Sequence, residues 1–382
     1  MDLAGSPNES LLGVAGGRWR LNTPALVLDL ECFERNVAAM AAHCKANGQA
    51  LRPHSKSHKS VSIARAQKAA GASGVCCATI REAEAMVGGG IESVLTTSPI
   101  TTPAKIARLM ALHEATEHLL VAADTLENVA ALAEATAGRD VGRPLPVVVD
   151  FDVGTHRTGA VDAAAVVALA RQIEAAPSLA FAGLQAYYGH IQHIEGYDDR
   201  VAAVSEETAR LAVTVAALTD AELPPPLVTG GGTGTHDIDH RQGVITELQA
   251  GSYIFTDVQY NACALTPDEA HPFEPALFVA ASVVNNVHNT HAIIDAGLKS
   301  FATDGPDPEY ATGTPIGAKY KFFGDEHGAV VYGDANERLA VGAPVSCVVP
   351  HCDPTVNLYD VYHCVRGDTL VDIWPVEARG NP

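Results

Sequence analysis

PVVVDFDVGTHRTGAVDAAAVVALARQIEAAPSLAFAGLQAY, residues 146–187, holds the unit from which the fold is read. Residues 146–151 are a valine-rich apolar run, long enough for a strand buried on both faces and too short for a helix. Residues 163–176 space their apolar side chains as one face of a helix. Residues 181–187 are again a short apolar run. Strand, helix, strand in this compass describes two parallel strands joined by a crossover helix.

The same beat extends both ways. Towards the N-terminus lie strands at 23–30, 74–78, 93–97 and 118–122, and helices at 31–47, 61–70, 103–115 and 126–137, with a further helix ending near glycines 88–90. Towards the C-terminus follow a helix at 197–221 and strands at 227–230 and 246–255. Strand and helix alternate at least seven times before residue 260. The class is α/β, and the count and length predict a (β/α)8 barrel, with a doubly wound open sheet as the alternative. Beyond residue 270 the rhythm changes to strands at 276–287, 292–294, 329–331, 345–349, 361–365 and 369–373, separated by Gly, Pro and Asp turns. The expected organisation is an arm (1–22), a barrel (23–268) and a mostly-β domain (269–382) that can take in part of the arm.

The bulk numbers exclude some partners. A hydrophobic fraction of 47% and a charged fraction of 18% over 382 residues describe a globular chain. A net charge of −20 argues against nucleic acid and anionic membrane surfaces, which need a basic footprint. The eight cysteines form no CxxC pair, which predicts free thiols in a reducing compartment. No basic-then-apolar leader opens the chain, and no run reaches the roughly 20 apolar residues of a membrane helix. A cytoplasmic location is expected.

Barrels of this kind carry their chemistry at the C-terminal ends of strands. LRPHSKSHKS, residues 51–60, puts two lysines and two histidines at such an end. It reads as a solvated basic turn or as a loop that delivers a lysine amine to a carbonyl-bearing cofactor. GTHRTG carries Arg157, either a surface arginine or a fixed cation against a pyridine nitrogen or carboxylate. His190 and His193 follow the strand at 181–187, and either imidazole could accept a proton near pH 7. TGGGTGT, residues 229–235, is neither a Walker A loop nor a dinucleotide fingerprint, yet its glycines and hydroxyls suit a phosphate, with Gly251 and Ser252 closing the other side. In HCDPT, an extended segment would point His351 and Asp353 to one side, a pair suited to Mn²⁺, Mg²⁺ or Co²⁺ rather than to a closed Zn²⁺ site; a proline-bearing turn is the plain alternative.

Taken in order, RPHSKSHK, GVCCA, GTHRTG, GLQAYYGHIQH, TGGGTGT, ELQAGSY, DAGLKS, DEHG and PHCDPT resemble the D-threonine aldolase, D-3-hydroxyaspartate aldolase and D-serine dehydratase group. These are alanine-racemase-like pyridoxal phosphate (PLP) enzymes, and the resemblance covers residues 22–380. It implies a PLP-binding barrel, a C-terminal β domain and a homodimer acting on a small D-amino acid. By motif, Lys56 rather than Lys59 would hold PLP, Arg157 would face the pyridine nitrogen and Tyr187 would lie by the cofactor. Thr233, Gly234, Gly251 and Ser252 would bind the phosphate, His193 would be the base, and His351 and Asp353 would hold a divalent metal. Dehydratases of the group resemble H-x-C at the metal motif; Asp353 here is the aldolase pattern. The expected reaction is retro-aldol cleavage of a D-β-hydroxy-α-amino acid to glycine and an aldehyde, with loss of water by β-elimination as the rival. Ala78-Thr79, Tyr188, His190, Thr158 and residues 258–261 depart from the group's usual pattern and leave the preferred substrate open.

Overall fold

The computed structural model describes residues 6–139, 141–268, 270–333 and 338–380. Its first strand, β1 (Ala25–Asp29), stands outside the barrel. The barrel sheet consists of β2 (Ala50–Leu51), β3 (Val75–Cys77), β4 (Ser93–Thr96), β5 (His118–Ala123), β6 (Leu145–Asp150), β7 (Leu179–Ala186), β8 (Val228–Gly230) and β9 (Glu247–Leu248). All are parallel, in the order β2-β9-β8-β7-β6-β5-β4-β3. The ends meet where Ser73 N–H donates to Leu51 O and Cys76 N–H to Pro53 O, both at 2.8 Å. Around the sheet run α1 (Leu30–Ala46), α2 (Val61–Ala69), α3 (Ile80–Gly88), α4 (Pro103–Ala115), α5 (Leu126–Thr136), α6 (Ala163–Glu174), α7 (Tyr197–Asp220) and the short α8 (His236–Asp239). Asp29, Thr79, Thr125 and Asp162 cap α1, α3, α5 and α6 with their side-chain oxygens. Each such cap is worth about 1 kcal/mol.

Side chains alternate across the strands. Val75, Cys77, Val94, Val121, Val147 and Val149 face the helices and pack with Ala83, Met86, Leu109, Leu132 and Leu169. Cys76, Leu95, Ala122 and Val148 point into the barrel. Two-faced burial explains why these strands read as unbroken apolar runs. Towards the strand starts, Arg52 pairs with Glu247 at 2.8 Å, and Ser73, Ser93 and Thr229 satisfy the remaining groups.

After the short α9 (Val258–Asn261) come β10 (Leu277–Asn285), β11 (His291–Ile294), β12 (Glu309–Thr312), β13 (Lys319–Phe322), β14 (Gly328–Val331), β15 (Pro344–Val348), α10 (Cys352–Val356), β16 (Val361–Arg366) and β17 (Thr369–Pro375). Their sheet runs β13-β14-β11-β10-β1-β16-β17, with β15 on β10 and β12 on β15. Here the expectation is corrected. The run at 23–30 is β1, paired antiparallel with β10 and parallel with β16. A run buried on both faces carries no mark of which sheet will receive it. The loop after β2 is tied to this second sheet. Tyr362 Oη donates to His58 O at 2.7 Å, Ala378 N to Lys59 O at 3.1 Å, and Val61 N to Glu377 Oε2 at 3.0 Å.

Candidate active site

The lysine loop gains its shape from its histidines. His54 Nδ1 accepts the Lys56 N–H at 3.3 Å and caps the 3-10 turn Ser55–Ser57. His58 Nδ1 accepts the Ser60 N–H at 3.1 Å. Burial holds both imidazoles neutral, His58 at about 3 and His54 well below its usual value. Lys59 takes a left-handed φ of 52° and its amine donates to Asn357 Oδ1 at 2.9 Å, with Glu82 3.7 Å away. It is a buried tie from this loop to α3 and to the turn after α10, not a surface group. Lys56 alone sends its amine into the cleft, 3.5 Å from Asp353 Oδ1 and 5.8 Å from the Tyr187 ring centre. Asp353, then Tyr187, raises the amine above the ordinary lysine range.

The glycine run after β8 folds around Gln192. That amide, 1% exposed, accepts the Gly234 N–H at 2.9 Å and donates to Thr235 Oγ1 at 3.1 Å. A Cβ at residue 232 would lie 2.5 Å from Gln192 Oε1, and one at 234 would overlap the Gln192 carbonyl. Gly234 is therefore a steric requirement, since it meets backbone, whereas a side chain at Gly232 would displace the Gln192 amide. Thr233 Oγ1 accepts the Tyr253 N–H at 3.0 Å, which joins this loop to the one after β9. The N–H groups of Thr233, Gly251 and Ser252 have no protein partner among the described residues. Beneath the loop, buried Asp239 accepts from Tyr188 Oη and Thr235 Oγ1; burial pushes its carboxyl up to about 7.

His351 and Asp353 come together by a route other than the expected one. The segment does not stay extended: His351 stands just before α10 at its N-cap position, and Asp353 lies in its first turn. His351 Nε2 nevertheless sits 3.9 Å from Asp353 Oδ2. Asp257 fixes this turn by accepting the Cys352 N–H at 2.9 Å while it caps α9 through Tyr260 N, also at 2.9 Å. Ser252 Oγ lies 3.4 Å from Asp353 Oδ2 and bridges the glycine cup to this pair. Burial works to raise the Asp353 carboxyl, but Lys56 and His351 outweigh it and bring it to about 2. His193 lies against Tyr260, ring centres 4.4 Å apart, and burial with the nearby His351 brings it down to about 4. His190 is turned to Thr155 Oγ1 at 3.4 Å instead. Arg157 is exposed, its guanidinium 5.9 Å from the Tyr187 ring centre. Thr158 donates to Asp150, a buried carboxylate pushed up to about 6.

The donors present fit both groups that the sequence implies. A phosphate needs unpartnered N–H groups, and the joined loops supply three. A carbonyl cofactor needs an amine that nothing else holds permanently, and Lys56 is 40% exposed. Two metal bonds of about 2.1 Å reach across the His351–Asp353 gap. No group of three His, Cys, Asp or Glu suited to a metal exists among the described residues, so this pair would leave positions for water or substrate. Gln192, Asp257 and Tyr260 were not read from the sequence as site residues. Only the place of Gln192 beside His193 could have hinted at one of them.

An eight-stranded parallel barrel with a lysine and a glycine cup at its C-terminal rim, backed by a β sheet, defines the alanine-racemase-like class of PLP proteins. The chain belongs to this family: the alanine racemase N-terminal domain matches residues 28–258, and a putative serine dehydratase domain matches residues 276–365. Within it, the chain is 39% identical over 366 residues to 3-hydroxy-D-aspartate aldolase of Paracoccus denitrificans (strain Pd 1222), covering 94% of this chain and 93% of that protein. It is 40% identical over 363 residues to D-threonine aldolase of an Arthrobacter species, with coverage of 94% and 93%. The crystal structure of D-threonine aldolase from Filomicrobium marinum superposes with a TM-score of 0.89 at 38% identity, covering 94% of this chain and 96% of that one.

Proposed function

We propose that this protein is a PLP- and divalent-metal-dependent lyase that cleaves D-β-hydroxy-α-amino acids of the D-threonine or D-3-hydroxyaspartate type to glycine and an aldehyde. The observation that carries the proposal is the meeting, at one rim, of the Lys56 amine and the His351–Asp353 pair, with 3.5 Å between Lys56 Nζ and Asp353 Oδ1. Lys56 would hold PLP, with its phosphate at Thr233, Gly234, Gly251 and Ser252; bound there, PLP supplies an electron sink for the bond broken at Cα. His351 and Asp353 would hold Mn²⁺, Mg²⁺ or Co²⁺, whose charge makes a β-hydroxyl more acidic.

The chain's own groups do the rest. His193, neutral at pH 7, takes the β-hydroxyl proton on a ring nitrogen. Tyr187, flanked by Lys56 and Arg157, would lie by the cofactor. Arg157, its guanidinium 5.9 Å from the Tyr187 ring centre, would face the pyridine nitrogen with a cation. Gly234 serves the cup through the close approach its missing side chain permits, because Gln192 takes its N–H. A homodimer in a reducing cytoplasm belongs to the same proposal; the eight unpaired cysteines support the compartment.

Product analysis on D- and L-3-hydroxy amino acids, with Mn²⁺ and with EDTA, tests the reading. Glycine plus aldehyde from the D-isomers, lost with EDTA, is expected. Ammonia plus a keto acid would replace cleavage with dehydration, and no turnover would remove both.

A further inference from the structure

His351 is held on the side away from Asp353. Its Nδ1 lies 2.9 Å from Oδ2 of Asp304, 47 positions earlier in the chain. An ionised carboxylate can only accept, so this hydrogen bond keeps the imidazole proton on Nδ1 and leaves the lone pair on Nε2. Nε2 is the nitrogen that faces Asp353. The turn that carries Asp304 is itself secured. Thr355 Oγ1 accepts the Ala302 N–H at 3.0 Å and donates to His351 O at 2.7 Å, so one side chain of α10 binds both the approach to Asp304 and the backbone of His351. On the other flank, a side chain at Gly305 would collide with Gln259 of α9.

We propose that Asp304 is a positioning residue for the cation site: it fixes the tautomer and ring orientation of His351, so that Nε2 and Asp353 face one divalent cation. This rests on the assignment of His351 and Asp353 as cation ligands. Asp304 is not itself a ligand in this arrangement, because it meets the nitrogen turned away from the pair. An exposed His–Asp contact would by itself add little to stability, and Asp304 is 55% exposed. Its effect is therefore sought in cation affinity rather than in folding. Loss of an outer carboxylate behind a ligating imidazole weakens metal binding by about 10- to 100-fold in general.

The test uses the full chain loaded with PLP, stripped of metal and titrated with Mn²⁺, with free Mn²⁺ read by electron paramagnetic resonance. Asp304→Ala should raise the Mn²⁺ Kd by about 10- to 100-fold, with the melting temperature and the PLP absorbance band unchanged. Asp304→Asn, whose amide oxygen can accept the same hydrogen bond without charge, should fall between Asp304→Ala and the unmodified protein. A Kd for Asp304→Ala equal to that of the unmodified protein would overturn the role of Asp304 while leaving the cation site standing. His351→Ala separates the two levels: if it binds Mn²⁺ as tightly as the unmodified protein, the ligand assignment fails and the role of Asp304 fails with it.

Discussion

Gln192→Ala probes the support of the glycine cup. Gln192 is 1% exposed and makes two sound hydrogen bonds, to Gly234 N at 2.9 Å and Thr235 Oγ1 at 3.1 Å. Each contributes about 1 kcal/mol, and the Gly234 N–H left buried without a partner costs a further 1–3 kcal/mol or so. The expected destabilisation is about 3–5 kcal/mol, a fall in melting temperature of about 4–6 °C for a chain this long. The loosened loop should also misalign at least one of the unpartnered N–H groups proposed to hold the phosphate. A hydrogen bond to a charged group is worth about 1.5–3 kcal/mol, so the PLP Kd should rise by about 10- to 100-fold. Differential scanning calorimetry of the PLP-free protein reads the first effect, and fluorescence titration with PLP reads the second. Gln192→Met fills the same space without the hydrogen bonds and separates lost packing from lost bonding. If Gln192→Ala melted within 1 °C or so of the unmodified protein and bound PLP equally well, the cup would be held by its glycines alone and the reasoning would be refuted.

Three further outcomes follow from the same structure. Gly234→Ala drives a Cβ into the Gln192 carbonyl, backbone that cannot swing aside, so PLP affinity measured by absorbance titration should fall at least tenfold or so although every polar group remains. Arg52→Ala strands the buried Glu247 carboxylate and should cost about 3–5 kcal/mol in urea unfolding; a change under about 1 kcal/mol would mean that water reaches the pair. His236 donates from Nδ1 to Thr233 O, and burial first, then His43, holds it at about 4 against 6.5 when unfolded. Between those values the unfolded chain binds the proton and the folded chain does not, so its share of stability is intact above pH 6.5 and is lost as pH falls. The loss at pH 5 is about 2 kcal/mol, and His236→Asn should flatten the stability profile by that amount in urea unfolding at pH 7 and pH 5.

Much of the site was legible because its parts are local. Arg157, Tyr187, the glycine run and His193 lie at the ends of strands whose apolar runs mark them, and the barrel places them on the same rim as Lys56, whose two-residue strand β2 carries no such run. The error over His351 and Asp353 has a clear cause. The sequence reading assumed an extended backbone, whereas Asp257, nearly a hundred residues away, caps the turn and starts α10. The role of Lys59 was not legible for a related reason: its partners Asn357 and Glu82 belong to distant elements.

The sequence by itself determined the alternation of strand and helix, the change to β structure after residue 270 and the chemical types at each strand end. Periodicity and side-chain chemistry are properties of neighbours, and neighbours are what a sequence records. The tertiary structure alone decided that β1 joins the second sheet, that Lys59 is tied to Asn357 and Glu82, and that Gln192 and Asp304 stand behind the cup and the imidazole. Those are pairings across tens to hundreds of residues, fixed by where packed elements come to rest rather than by any pattern along the chain.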